Sequence, residues 1–246
     1  TSVTGVQTCA LPICAQINNG GTQNIFNGGV DVGAKINVGG IQNISSGGIA
    51  SGVQINNAGI QNILVGGLAR DTLVNSGGIQ YLSSGGLASG TQISSGGMQN
   101  ILNGGVDVSA TITVGGTQNI SLGGLAKSAQ INSEGMQNIF FGGMASSTQI
   151  NNGGIQNILN SGIDISGTIN AGGIQNISSG GIASNTQVNN NGVQNISLGG
   201  IAIVAQINAG GTQNISTGGI ATSAQINNGG IQNILNGGVD QGATIT

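Results

Sequence analysis

Histidine and tryptophan are absent from the 246 residues, and the single proline is Pro12. The only cysteines, Cys9 and Cys14, fall in the first fourteen residues. Three residues are basic (Lys35, Arg70, Lys127) and six acidic, for a net charge of −3. Three scattered cations give no footprint for a phosphate backbone, so nucleic acid is not an expected partner. Nor do they form the polybasic cluster that holds a segment to an anionic membrane. No run of about 18 apolar residues occurs, so direct membrane insertion of this segment as a helix is not expected. Without His, and without Cys beyond residue 14, zinc sites and nucleophile–base pairs lose their usual members. No catalytic residue, metal site or cofactor is expected, and the chain reads as a non-enzyme.

Glycine, by contrast, is abundant, at 50 residues. That much glycine suits a flexible linker. A linker, however, has no need of Ile, Val and Leu at fixed spacing, and here they recur with a strict period. From Ala15 the chain divides into twelve units of nineteen residues ending at Gly242, with Ala243–Thr246 opening a thirteenth. The first reads AQINNGGTQNIFNGGVDVG and the second AKINVGGIQNISSGGIASG. Numbering each unit one to nineteen, position three is always Ile or Val (Ile17, Ile36, Ile55, Val74 and onward), and position eleven is Ile except at Leu82. Positions seven and fifteen are always Gly, position nine always Gln, and position ten Asn except at Tyr81. Position sixteen is always Val, Ile, Leu or Met, and seventeen is usually Ala.

Residues 1–14 fall outside the period and are set apart as a non-repeat segment. They are similar to translated sequencing-adapter sequence, and they lack the basic start of a signal peptide; a genuine N-terminal cap is the alternative. Because the last unit breaks off at Thr246, the chain is expected to be an internal piece of something longer.

Periods of this kind signal stacked architectures. β-Branched residues suit a pleated strand. The paired glycines at six–seven and fourteen–fifteen offer positive φ for sharp corners. A helix would lose about 1 kcal/mol for each such glycine. A unit this small cannot bury a core alone, but stacked units superpose like residues about 4.8 Å apart. The expected fold is therefore all-β: a single parallel β-helix, or β-solenoid, of nineteen residues per coil. Three strands per coil, near positions one to four, eight to twelve and fifteen to seventeen, make it three-sided, and parallel crossovers favour a right-handed path. Positions three, eleven and sixteen are expected to form apolar columns inside, with seventeen the alternative to sixteen. Gln at nine shares strand parity with Ile at eleven and reads as an inward amide ladder. Arg70 and Lys127, both at eighteen, mark that position as outward.

The pattern G-G-x-Q-x-I-x-x-G-G-x-A-x-x-T/A-x-I, held over residues 15–246, resembles the strand-loop-strand repeat of autotransporter adhesin passengers of the AIDA and TibA type. The resemblance implies a cell-surface stalk exported through an outer-membrane barrel that is not within this segment. It also implies adhesion, autoaggregation with like solenoids, a host-surface receptor, and heptose placed on repeat serines by a heptosyltransferase. On that ground Ser45, Ser83, Ser121, Ser178, Ser197 and Ser216, all at position twelve, are candidate glycan acceptors. Parity places them outward, so Ser121→Asp is expected to be nearly neutral. Five complete N-x-S sequons, at Asn43, Asn119, Asn176, Asn195 and Asn214. In the other six units position twelve is Phe26, Leu64, Leu102, Phe140, Leu159 or Leu235, expected as scattered exposed apolar residues.

Position seventeen is Asp in four units: Asp31, Asp107, Asp164 and Asp240. At three or four coils apart, roughly 14–19 Å, they are too distant to share a metal or act as a catalytic pair. Only these units carry Asn at thirteen (Asn27, Asn103, Asn160, Asn236). Either Asn and Asp meet across the corner, or a block of several repeats was duplicated. Other functional classes fit less well. A curli-like amyloid matrix subunit spaces its Gln and Asn differently. A polysaccharide-degrading β-helix needs a charged cluster, and an ice-binding solenoid needs regular Thr rows. A passive structural spacer remains open.

Overall fold

A computed structural model describes residues 14–246; the expectation for residues 1–13 lies outside them. Each coil contributes three short strands, as in Gln16–Ile17, Thr22–Ile25 and Val30–Val32. Equivalent strands stack into three parallel sheets of thirteen, twelve and twelve strands. Register never slips: every residue pairs with the one nineteen positions on, as in Ile41↔Ile60 and Gln42↔Gln61. The strands occupy positions two–three, eight–eleven and sixteen–eighteen, close to the expected segments. The chain is thus an all-β, three-sided parallel solenoid.

Inside, Ile and Val at three and Ile at eleven form two unbroken columns that are almost wholly buried. The third column is not position sixteen, which stays half-buried or exposed, but seventeen, where Ala50, Ala69 and Ala88 are buried. Position one joins it with Ala34, Val53 and Thr72. The reason lies in the third corner. The chain turns there on one residue, position nineteen, at positive φ (Gly33 73°, Asp71 51°, Ser109 62°). With eighteen outward, as Arg70 and Lys127 are, pleat alternation puts seventeen inward. Cys14, assigned to the non-repeat segment, already has that corner's φ of 59° and donates its N–H to the Val32 carbonyl at 2.8 Å.

The glycine pairs divide their work differently from expectation. Positive φ belongs mainly to the first of each pair, such as Gly28 at 80° and Gly47 at 84°. The invariant second glycine is held by crowding. A Cβ on Gly48 would strike the carbonyl oxygen of Ile25, and one on Gly40 that of Ile17, in the preceding coil. Close backbone approach, rather than a left-handed conformation, is what admits no side chain at seven and fifteen.

Candidate functional site

Two regions stand apart from the regular packing: the corner at twelve to fifteen and the buried polar column at nine and seventeen. At the corner the chain leaves the eight–eleven strand and reverses. The N–H of Gly48 donates to the Ser45 carbonyl at 2.8 Å, and Gly200 does the same to Ser197. Thirteen and fourteen both have positive φ, as at Ser46 (48°) and Gly47 (84°), which is the type I′ pattern. Asn is among the residues that most readily adopt it, so Asn27, Asn103 and Asn160 fit this turn on backbone grounds alone.

Ser45, Ser83, Ser178, Ser197 and Ser216 lie on the outer side of this corner, half-buried. Ser121 does not match them. It is only 6% exposed, because Leu102 and Phe140 hold the same position in the coils before and after. A carboxylate there would be desolvated, so the expectation that Ser121→Asp is neutral does not hold. Three exposed serines of this corner were not singled out from sequence: Ser46, Ser84 and Ser179, one residue further on at the tip of the turn. The Ser-Ser pair before Gly-Gly was the available signal. The five sequon asparagines sit within strands instead. Nδ2 of Asn43 donates to Asn24 at 2.8 Å, and those of Asn119, Asn176, Asn195 and Asn214 do likewise at 3.0 Å along an outer Asn ladder. A nitrogen already committed to that ladder is a poor acceptor.

Phe26, Leu64 and Leu235 are exposed, and Leu102, Phe140 and Leu159 half-buried. They share this one corner, although only Phe140 and Leu159 stand in adjacent coils, and Phe140 meets Phe141 edge to face with ring centroids 5.5 Å apart.

Inside, the Gln ladder runs without a break from Gln23 to Gln232, each Nε2 donating to the Oε1 of the preceding coil at 2.6–2.9 Å. One amide hydrogen of each Gln is used this way and the other needs a second acceptor. The four aspartates supply it locally. Asp31 accepts from Gln23 and Gln42. Asp107 accepts from Gln118 and the Thr91 hydroxyl, Asp164 from Gln175 and Thr148, and Asp240 from Gln232. Their partners are therefore glutamines and threonines; the Asn contact proposed across the corner is not made. Three residues after each Asp stands a small residue (Ala34, Ala110, Gly167, Ala243), and a Cβ on Gly167 would run into the Asp164 carboxylate. Burial without a cation pushes Asp107 and Asp164 up to about 7, against the opposing pull of their Gln and Thr donors. Asp31 is raised for the same reason. Among the described residues no three His, Cys, Asp or Glu side chains gather as a metal site.

A long, almost uncharged rod with an apolar and serine-lined corner defines a structural stalk. The comparisons give it a family. Residues 43–97 match the family model described as "Adhesin of bacterial autotransporter system, probable stalk" (AIDA). No curated protein matches in sequence. Among solved structures, the crystal structure of a TibC-catalysed hyper-glycosylated TibA fragment is similar at 38% identity and a TM-score of 0.86, over 95% of this chain and 90% of that one. The chain belongs to the AIDA-type autotransporter adhesins, as part of the surface-exposed passenger stalk.

Proposed function

We propose that this stalk joins cells to one another by self-association, carries sugars on its corner serines, and stands on the cell surface through an outer-membrane barrel. The observation that carries the glycan part is the corner itself. Serines at twelve in six of the twelve coils, joined by serines at thirteen in three of them, line one tight turn on a rod similar to a TibA fragment that is hyper-glycosylated through TibC. A heptosyltransferase of that kind is the expected modifying partner, and a host-surface receptor a further one. Low charge supports self-association, since like rods repel one another little.

Co-expression with such a heptosyltransferase tests the first part by intact mass and site mapping. Heptose is expected on Ser46, Ser84 and Ser179 and on the half-exposed Ser45, Ser83, Ser178, Ser197 and Ser216, with Ser121 unmodified. An unmodified chain after co-expression overturns it. Cells displaying the stalk test the second part: clumping supports adhesion, and dispersed cells leave a passive spacer. Thioflavin-positive fibres grown from soluble monomer would favour the curli-like alternative.

A further inference from the structure

The residues at position thirteen, at the tip of the outer corner, follow an order that reads alike from both ends of the rod. Asn stands there in the first, fifth, eighth and twelfth coils, Ser or Thr in the second, fourth, ninth and eleventh, and an apolar residue in the third, sixth, seventh and tenth. The apolar four are Val65, Leu122, Phe141 and Leu198, and they are among the most exposed large apolar side chains of the chain, at 57–66%. A duplicated block of seven coils accounts for the recurrence of this order. Duplication does not require the five coils at each end, Asn27 to Asn103 and Asn160 to Asn236, to be symmetric about their own middles at Val65 and Leu198, and they are.

Three of the four also hold an unfavourable backbone. Leu122, Phe141 and Leu198 have φ of 50°, 48° and 47°, a region that bulky L-residues seldom adopt and that Asn tolerates well. Eight other coils place Asn, Ser or Thr at this tip. Leu and Phe are thus both strained and exposed at a position where a polar residue would be easier on both counts. Strain kept at a surface position points to a role outside the fold.

We infer that this corner docks a second copy of the same chain, antiparallel, about a two-fold axis crossing the rod between Leu122 and Phe141. Reversal carries the sixth coil onto the seventh and the third onto the tenth. In the unglycosylated chain Leu122 then meets the partner's Phe141, and Val65 the partner's Leu198, while Asn faces Asn and hydroxyl faces hydroxyl; heptose on Ser46, Ser84 or Ser179 would stand in this contact, so the two uses of the corner compete. This is the self-complementary patch that a two-fold contact requires. No charged residue occurs at twelve or thirteen in any coil, so a charged ligand has nothing to hold, whereas an identical corner supplies apolar side chains at the same rung spacing. One contact is small, but stalks on facing cells point in opposite directions and present many at once. The inference rests on the reading of the stalk as self-associating and names the face that does it.

Cross-linking of the unglycosylated chain tests it, in a background with Cys9→Ser and Cys14→Ser. Val65→Cys mixed with Leu198→Cys should give a disulfide-linked pair, and each variant alone should give little, because an antiparallel rod puts like residues about seven rungs apart, roughly 34 Å. Cross-linking of Val65→Cys with itself would mean a parallel contact and overturn the proposal. The double variant Leu122→Asn/Phe141→Asn should keep or raise the melting temperature and weaken dimerisation at least about tenfold. Undiminished dimerisation of that variant overturns the face. If cells displaying it still clump, self-association stands but uses another surface. A parent rod that stays monomeric, on cells that never clump, removes both readings.

Discussion

Asp107 and Asp164 are carboxyls enclosed with amides and hydroxyls but no cation, and the consequence is a pH dependence of unusual sign. Their folded pKa, about 7, lies above the 3.8 of an exposed aspartate. Between those values the folded chain binds protons that the unfolded chain has released, so stability falls as pH rises. The contribution is fully present below about pH 4 and lost by about pH 7, with an upper bound of roughly 4 kcal/mol for each buried carboxyl. Thermal melts should therefore shift downward from pH 4 to pH 7, and Asp107→Ala/Asp164→Ala should flatten the profile; Ala is what the neighbouring coils carry, at Ala88 and Ala126. A profile equally steep in the double variant would place the titration elsewhere. Thr186 is the counterpart without a solution of its own. Its hydroxyl is the one buried side-chain polar atom without a partner among the described residues, whereas Thr148 reaches Asp164. Val53 fills the same position, fully buried. Thr186→Val should thus stabilise by about 1 kcal/mol in chemical denaturation.

At the scale of the turn, the two glycines of a pair should answer differently to the same substitution. Gly142 has φ of 76° and open space where a Cβ would stand. Gly142→Ala should cost only the left-handed penalty, about 1–2 kcal/mol, and Ser161 shows the position tolerating a side chain at φ 65°. Gly143 has no such φ, yet a Cβ there would overlap the carbonyl of Ile120 in the coil below. Relief requires two coils to part, breaking the Met144 to Gly124 hydrogen bond nearby. Gly143→Ala should be the more damaging by several kcal/mol in denaturant melts. Equal losses would return both glycines to a purely conformational role.

Across the whole molecule, one glutamine ladder and two aliphatic columns run the length of a rod that carries nine formal charges. Contacts join each coil to its neighbours only, so stability is a sum over coil interfaces. Attraction between such rods depends little on ion pairs. Dimerisation measured by sedimentation should hold or strengthen as salt rises from about 0.05 to 0.5 M, where screening would weaken a charge-driven contact and sulfate would strengthen an apolar one. A marked loss of association with salt would point to the few charged residues instead.

The repeat by itself determined the coil length, the parallel stacking, the Gln ladder and the in–out sense of the first two strands of each coil. It could do so because a strand alternates with period two and identical units stack in register. It also carried the family likeness through its Gly-Gly and Gln spacing. What it could not carry across a corner was parity. Whether sixteen or seventeen faces the core depends on how many residues the bend consumes, and only the folded corner, turning on position nineteen alone, decided for seventeen. That choice put Asp107 and Asp164 in the interior, in the ladder's company, rather than on the surface beside Asn103 and Asn160. The rest was decided by neighbours nineteen residues away. Leu102 and Phe140 cover Ser121, and the Ile120 carbonyl forbids a side chain at Gly143, because exposure and crowding belong to the stacked coils and not to any one of them.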